Sequence, residues 1–300
     1  MERERVLVVG GGTMGAGIAG VCALAGYPTA LFEADPSRRA ALSDRITGSW
    51  KRAVERGKLP PARAESARGL LAFPDRLAEA GAEGSSIAIA IEAVPEDLDL
   101  KRRLFAELDR LWPGAAFLAT NTSALSVTEI AAATAAPERV LGLHFFNPVA
   151  AMPLVEVVRG RSTSAAAVGR ATEFAASLGK QPVVVADAPG FATSRLGVAI
   201  GLEAMRMVEE GVASAADIDK AMELGYGHKM GPLKTSDLVG LDVRLAIAET
   251  LARGIDGRRF EPPAILRRLV AEGRTGKKSG RGFYRWEGEE ALPSEPAGES

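Results

Sequence analysis

Cysteine is nearly absent. Cys22 is the one thiol in 300 residues, so no intrachain disulfide can form. Its surroundings, Ala19-Gly20-Val21-Cys22-Ala23, are those of a packed helix, and the thiol reads as a small core group. A dominant charge is missing too. The formal net charge is -1, so no strong positive field draws nucleic acid or a membrane surface. Local basic patches that serve an anionic ligand stay open. No apolar run is long enough to span a bilayer. Met1 to Arg5 are mostly charged and run straight into a strand-like stretch, with no cleavable apolar segment ahead of it. No metal site is expected, and the expected location is cytoplasmic. What remains is the balance of an ordinary globular protein, 47% hydrophobic and 25% charged, with a sizeable core. Its length suits one large domain or two ordinary ones.

Short apolar runs alternate with helical spacing over the first two thirds. Val6-Leu7-Val8-Val9 stops at three glycines and reads as a buried parallel strand. A helix over Ile18 to Ala25 ends at Gly26. Thr29 to Glu33 is a second strand, and Asp35-Pro36-Ser37 opens another helix. Ile87 to Ala93, Ala116 to Ala119, Arg139 to His144, Leu154 to Val158 and Gln181 to Val185 are further strands, with a helix from Leu98 to Leu111. This alternation predicts an α/β fold, a Rossmann-type, parallel, doubly wound sheet. After Asp187-Ala188-Pro189-Gly190 the character changes. Arg195 to Gly211 and Val243 to Arg253 have helical spacing, and no strong strand run follows. The boundary falls near residue 187: residues 1–187 form a nucleotide-binding domain and 188–300 an all-helical substrate and dimerisation domain. The tail from Glu287 to Ser300 is rich in Glu, Gly, Pro and Ser and is expected to fray.

Gly10-Gly11-Gly12-Thr13-Met14-Gly15 follows a strand and opens a helix, the context that the G-x-G-x-x-G fingerprint requires. Gly10 permits the tight turn, Gly12 lets the backbone approach a pyrophosphate, and Gly15 allows close helix–strand packing. The helix start, at Thr13 and Met14, offers free N–H groups to the phosphates. Glu33 closes the next strand. A carboxylate there can accept from the adenosine ribose hydroxyls and would repel a 2′-phosphate, which favours NAD over NADP. Arg38 and Arg39 stand nearby; they could pair with such a phosphate or simply form a solvated helical turn.

Histidine is almost as scarce as cysteine: only His144 and His228 are present. His144 ends a strand run, and carboxyl ends of strands face the ligand in a doubly wound sheet. An imidazole there can exchange a proton with a hydroxyl near neutral pH. His228 lies in a Gly-rich stretch and reads as a loop residue. Glu156 interrupts the apolar run Leu154-Val155-Glu156-Val157-Val158, so its carboxylate needs a partner. His144 would serve, with its tautomer fixed and its imidazolium favoured; a structural salt bridge is the alternative. Asn121-Thr122-Ser123 follows another strand, and its short polar side chains suit either a nicotinamide or a helix cap.

These segments, with Asp187-Ala188-Pro189-Gly190-Phe191, Met230-Gly231-Pro232 and Gly280-Arg281-Gly282-Phe283-Tyr284, resemble the 3-hydroxyacyl-CoA dehydrogenases of the 3-hydroxybutyryl-CoA type in order and spacing. The resemblance runs from about residue 5 to residue 286. It implies NAD as cofactor, an acyl-CoA as substrate and a homodimer formed through the helical domain. It implies His144 as general base, Glu156 as its partner, and Ser123 as a hydrogen-bond donor to the reacting oxygen and a nicotinamide contact. Glu96, Lys101 and Asn147 match positions at the nicotinamide end of NAD. Ser49 and Arg56 match positions that meet CoA, where Lys51, Arg52 and Lys58 could attract its phosphates or merely form a solvated helix face.

One position departs from the family. Ser194 stands where the family has an active-site Asn, ahead of Arg195. A hydroxyl keeps one donor but is shorter and lacks the amide fork. A water could fill the gap, or the gap could suit a substrate with extra bulk near C3; the first is favoured because Ser123, His144, Glu156 and Arg195 are retained. Two other readings compete: a relative acting on a free hydroxy acid such as gulonate or carnitine, and a non-catalytic NAD-binding protein that keeps the fold.

Overall fold

The computed structural model describes residues 4–81, 86–255 and 257–293. The chain divides into two compact units, Met1–Ala188 and Pro189–Ser300.

The first unit is built on eight strands: β1 Arg5–Val9, β2 Thr29–Phe32, β3 Leu71–Ala72, β4 Ile87–Glu92, β5 Phe117–Thr120, β6 Val140–Phe145, β7 Leu154–Arg159 and β8 Gln181–Ala186. Its helices are α1 Thr13–Leu24, α2 Pro36–Ala40, α3 Leu42–Glu55, α4 Pro61–Arg68, α5 Leu98–Leu111, α6 Val127–Ala131 and α7 Ala165–Ser177. The strands pair in the order β3-β2-β1-β4-β5-β6-β7-β8. From β1 the chain moves outward through β2 and β3, then returns to lay β4 on the other side of β1. That reversal is the switch point, and a crevice opens there at the carboxyl ends of the strands.

The inner strands read as unbroken apolar runs because both faces are covered, whereas the edge strand β8 is largely exposed. Side chains alternate between two cores. Val6 and Val8 point into one with Ile18, Trp50 and Phe174. Leu7 and Val9 point into the other with Phe105, Leu108 and Ile130. Helices α1, α3, α4 and α7 thus cover one face and α5 and α6 the other, the three-layer arrangement expected from the alternation.

The sheet is not wholly parallel, contrary to the sequence-based expectation. β7 runs antiparallel to β6, and β8 follows β7 in parallel. The link between Phe145 and Leu154 explains the reversal: a parallel connection needs a crossover of about a dozen residues or more, usually a helix, and this link is too short. Helix α1 also begins earlier than its apolar spacing suggests, directly after Gly12. Its first turn is Gly-rich and carries little apolar signal, yet Gly15 must press on the Gly10 carbonyl, where a Cβ would sit 1.8 Å from the oxygen.

The second unit contains α8 Thr193–Glu209, α9 Ala215–Tyr226, α10 Pro232–Val239, α11 Leu241–Gly254, α12 Gly257–Phe260 and α13 Ala264–Ala271. It is not all helical. Strands β9 Tyr284–Glu287 and β10 Glu290–Pro293 form an antiparallel hairpin. The tail expected to fray from Glu287 therefore continues in strand to Pro293; residues 294–300 lie outside the described residues. The cause is period-2 burial, with Tyr284 and Trp286 inward and Arg285 and Glu287 outward. Buried Asp237 fastens the hairpin, accepting from the Phe283 and Tyr284 amides at 3.0 and 2.9 Å and from Trp286 Nε1 at 3.0 Å. No helix of the described residues is long and apolar enough to cross a membrane.

Candidate active site

The glycine loop is shaped for a dinucleotide. Gly10 has φ +106°, and a Cβ there would meet the Ala93 carbonyl at 2.6 Å, so only glycine fits. A Cβ on Gly12, by contrast, would meet nothing within 4 Å: its space faces open solvent, where a pyrophosphate can approach. Gly12 caps α1, and no acidic side chain in the first turn competes for the free N–H groups. A cleft of about 750 Å³ runs from this loop past Glu33 to Val94 and Leu104. The residues present therefore fit the expected dinucleotide.

Glu33 sits on the rim of that cleft. Its carboxylate accepts from the Gly11 amide at 2.8 Å and the Asp35 amide at 3.0 Å. Arg39 is turned away, donating to the Glu33 carbonyl and pairing with Asp75 at 3.0 Å. Arg38 does line the cleft.

At the carboxyl ends of β4 and β5 lies a charged network that sequence reasoning found only in part. Glu92, wholly buried, ends β4. It accepts from Lys101 Nζ at 2.6 Å, the Val94 amide at 2.7 Å and Thr120 Oγ1 at 2.7 Å. Burial pushes its carboxyl up, against the pull of the adjacent ammonium. Lys101 is also buried and reaches Glu96 at 3.3 Å. Glu96 in turn accepts from Thr122 Oγ1 and, at 3.0 Å, from the Ser123 amide. The loop after β4 and the loop after β5 are thus tied through one lysine, which brings Glu96, Lys101 and Ser123 together. Asn121 contributes by its side-chain oxygen, which accepts from the Phe145 amide at 2.9 Å and joins β5 to the end of β6. Glu92 was missed, although it ends an apolar run much as Glu156 interrupts one; both carboxylates carry the same signal.

The reversal of β7 places Glu156 directly opposite His144 in the strand register. His144 Nδ1 lies 2.7 Å from Glu156 Oε2, and both side chains are buried. With Nδ1–H donating to the carboxylate, Nε2 is the acceptor nitrogen of the ring. Phe146 packs on the imidazole, ring centroids 4.5 Å apart. Asn147 follows on the exposed side, joined to Pro148 by a cis bond. Buried Lys180, which carried no sequence signal, donates to the carbonyls of Val149 and Met152 and fixes this loop from below. Asp187 closes the unit by capping α6, accepting from Ser126 Oγ and the amides of Val127 and Thr128.

Three expected residues take no part in these networks. Ser49 is exposed on α3, its hydroxyl turned back to the Ile46 carbonyl at 2.7 Å. Arg56 is exposed at the C-cap of α3. Among the described residues neither Arg56 nor Lys51, Arg52 or Lys58 is in an ion pair. Ser194 is half-buried in the first turn of α8, in the second unit. His228 lies in the loop between α9 and α10.

A glycine cradle, an acid on the rim of its cleft and a buried His–carboxylate pair define a dinucleotide-dependent oxidoreductase. Residues 5–188 match the model of the 3-hydroxyacyl-CoA dehydrogenase NAD binding domain, and residues 190–286 match that of the C-terminal domain. The chain belongs to the 3-hydroxyacyl-CoA dehydrogenase family, and its cofactor is NAD. It is 47% identical over 283 residues to the 3-hydroxybutyryl-CoA dehydrogenase of Mycobacterium tuberculosis (strain ATCC 25618 / H37Rv), covering 94% of this chain and 98% of the relative. It is 42% identical to the 3-hydroxyadipyl-CoA dehydrogenase of Escherichia coli (strain K12), over 95% of this chain and 60% of that one. The crystal structure of (S)-3-hydroxybutyryl-CoA dehydrogenase from Ralstonia eutropha superimposes with a TM-score of 0.89 at 34% identity, over 95% of this chain and 99% of that one.

Proposed function

We propose that the protein interconverts a 3-hydroxyacyl-CoA and its 3-oxo form, with 3-hydroxybutyryl-CoA and acetoacetyl-CoA as the reference pair. The observation that carries this reading is the His144–Glu156 pair, buried at the sheet edge and held at 2.7 Å. In the oxidative direction the 3-hydroxyl proton passes to His144 Nε2 as the C3–O bond becomes a carbonyl. Bound NAD supplies the acceptor for the hydride that leaves C3. Glu156 stabilises the imidazolium formed, and because the pair is desolvated that stabilisation is larger than in water. Ser123 holds the reacting oxygen; Glu96, Lys101, Asn121 and Asn147 line the nicotinamide end, and Glu33 takes the ribose. Gly10, Gly12, Thr13, Met14 and Gly15 carry the pyrophosphate. The exposed cations around Ser49 and Arg56 receive the CoA phosphates.

We place the enzyme in the cytoplasm, as a homodimer formed through its second unit. Exposed Leu196, Leu224 and Tyr226 support the dimer, since large apolar side chains in water favour an interface. NADH oxidation with acetoacetyl-CoA, with free acetoacetate as control, tests the reaction. Turnover of the CoA ester alone is expected. Equal turnover of free acetoacetate would favour a free hydroxy acid substrate, and no turnover of either would favour a non-catalytic relative. In the same assay kcat/KM should favour NADH over NADPH. The reverse would make Arg38 the reader of the ribose.

A further inference from the structure

The network at the ends of β4 and β5 holds one more negative charge than positive. Lys101 Nζ lies 2.6 Å from Glu92 and 3.3 Å from Glu96, so two carboxylates share one ammonium. Glu92 and Lys101 are sealed from solvent, at 0% and 1% exposure, and salt screens them little. Donors face both Glu92 oxygens: the ammonium and the Val94 amide meet one, and the Thr120 hydroxyl meets the other. Such donors hold the carboxyl ionised, although burial pushes the other way. The second carboxylate, Glu96, has a side chain that is 43% exposed. Its other partners, the Thr122 hydroxyl and the Ser123 amide, are uncharged. They fix its position without balancing its charge, and among the described residues no cation other than Lys101 pairs with it.

The place of that excess charge gives it a use. Ala93, Val94 and Pro95, which join Glu92 to Glu96, line the cleft that starts at the glycine loop. The charged residues lining the same cleft cancel one another, Glu33 and Glu107 against Arg38 and Arg103. A dinucleotide crosses the carboxyl ends of the strands at the switch point. With its adenosine ribose at Glu33, after β2, its nicotinamide falls on the far side of β1, at the ends of β4 and β5. The inference rests on that placement and not on the identity of the acyl substrate. The two forms of the cofactor differ there by one charge, since the nicotinamide ring is a cation in NAD+ and neutral in NADH. We propose that Glu96, held in place by Lys101 and Glu92, selects the oxidised form: its unbalanced carboxylate stabilises the ring cation and does nothing for the neutral ring. Glu156 differs, because its charge is offset whenever His144 holds a second proton, whereas the excess charge at Glu96 is fixed. By linkage, a site that favours the oxidised cofactor makes it harder to reduce once bound, which biases the bound reaction toward the 3-hydroxy ester.

Calorimetric titration with NAD+, NADH and ADP-ribose, which lacks the nicotinamide, tests this in the wild type, Glu96→Gln, Glu96→Asp and Thr122→Val. No acyl-CoA is present, so the result stands apart from the reaction proposed above. The readout is the ratio of Kd for NAD+ to Kd for NADH, because a loss of shape weakens both forms and leaves their ratio alone. A neighbouring opposite charge favours a charged form by about ten-fold to a thousand-fold, and the half-exposure of Glu96 puts it at the lower end. Glu96→Gln should raise the ratio roughly ten-fold, by less in high salt, and leave ADP-ribose binding nearly unchanged. Glu96→Asp keeps the charge on a shorter arm and should keep most of the preference. Thr122→Val removes a hydroxyl and no charge, so the ratio should stay as it is in the wild type. An unchanged ratio in Glu96→Gln, or the same rise in Thr122→Val, would overturn the proposal. So would an equal loss of all three ligands in Glu96→Gln, which would put Glu96 away from the nicotinamide.

Discussion

The two units bury charge in opposite ways. In the first, buried charges face one another: Glu92 meets Lys101, and Glu156 meets His144. Glu92 and His144 stand at or near the carboxyl ends of their strands, and Lys101 on α5 and Glu156 on β7 come to meet them. In the second, the buried carboxylates Asp219 and Asp237 accept mainly from backbone amides and tie loops to helices. A carboxylate saturated by N–H donors is a clamp, with little left to give to chemistry. A carboxylate opposed to a titratable side chain can respond when a proton moves, as the mechanism proposed for Glu156 requires.

The largest expected effect breaks the reactive kind of burial. His144→Gln should leave NADH binding nearly intact and lower turnover by roughly 10²–10⁴. Glu156→Gln should also slow the reaction, and the double variant should lose less than the product of the two, because the pair acts as a unit. Stopped-flow hydride transfer beside NADH fluorescence titration measures both. Unchanged turnover in His144→Gln would remove the imidazole from the mechanism.

One charge removal made in each unit sharpens the contrast. Glu92→Gln leaves the buried Lys101 ammonium with only the half-exposed Glu96 opposite it and should cost about 3 kcal/mol of stability. Adding Lys101→Met should return part of that loss. Asp237→Asn keeps an acceptor oxygen but misplaces one of three donors, and should cost roughly 1–3 kcal/mol. Denaturant unfolding separates the two, and NADH affinity should fall only in Glu92→Gln. Equal losses at both positions would erase the distinction between a charge pair and a clamp.

The same contrast explains how much could be read in advance. The strands β1, β2, β4 and β5 were legible because sheets covered on both faces leave continuous apolar runs. The reversal of β7 was written in the short link from Phe145 to Leu154, but a rule of alternation overrode a rule of length. His144 with Glu156 was legible since a carboxylate among valines demands a partner. Asp219 and Asp237 were not, because an aspartate at helical spacing looks solvated until the loop it clamps is known. The β9 hairpin was hidden for the same reason: without Asp237, Tyr284 and Trp286 are merely two aromatics near a polar tail.

The smallest expected effect lies where the chain departs from its family. Ser194 is half-buried in the first turn of α8, and Gly197 on the next turn adds no side chain. Asparagine at 194 would supply a longer arm with both donor and acceptor, so under the reaction proposed here it would bridge directly to a substrate oxygen that serine would reach only through water. One such hydrogen bond is worth about 1 kcal/mol, or roughly five-fold. Ser194→Asn should therefore raise kcat/KM for acetoacetyl-CoA several-fold. The same arm takes up room that serine leaves, so it should lower kcat/KM for an ester with extra bulk near C3. Opposite changes on the two esters would tie residue 194 to the size of the acyl group. Gains on both would mean that serine is simply a weaker asparagine, and no gain on acetoacetyl-CoA with normal NADH binding would mean that the site was built around serine.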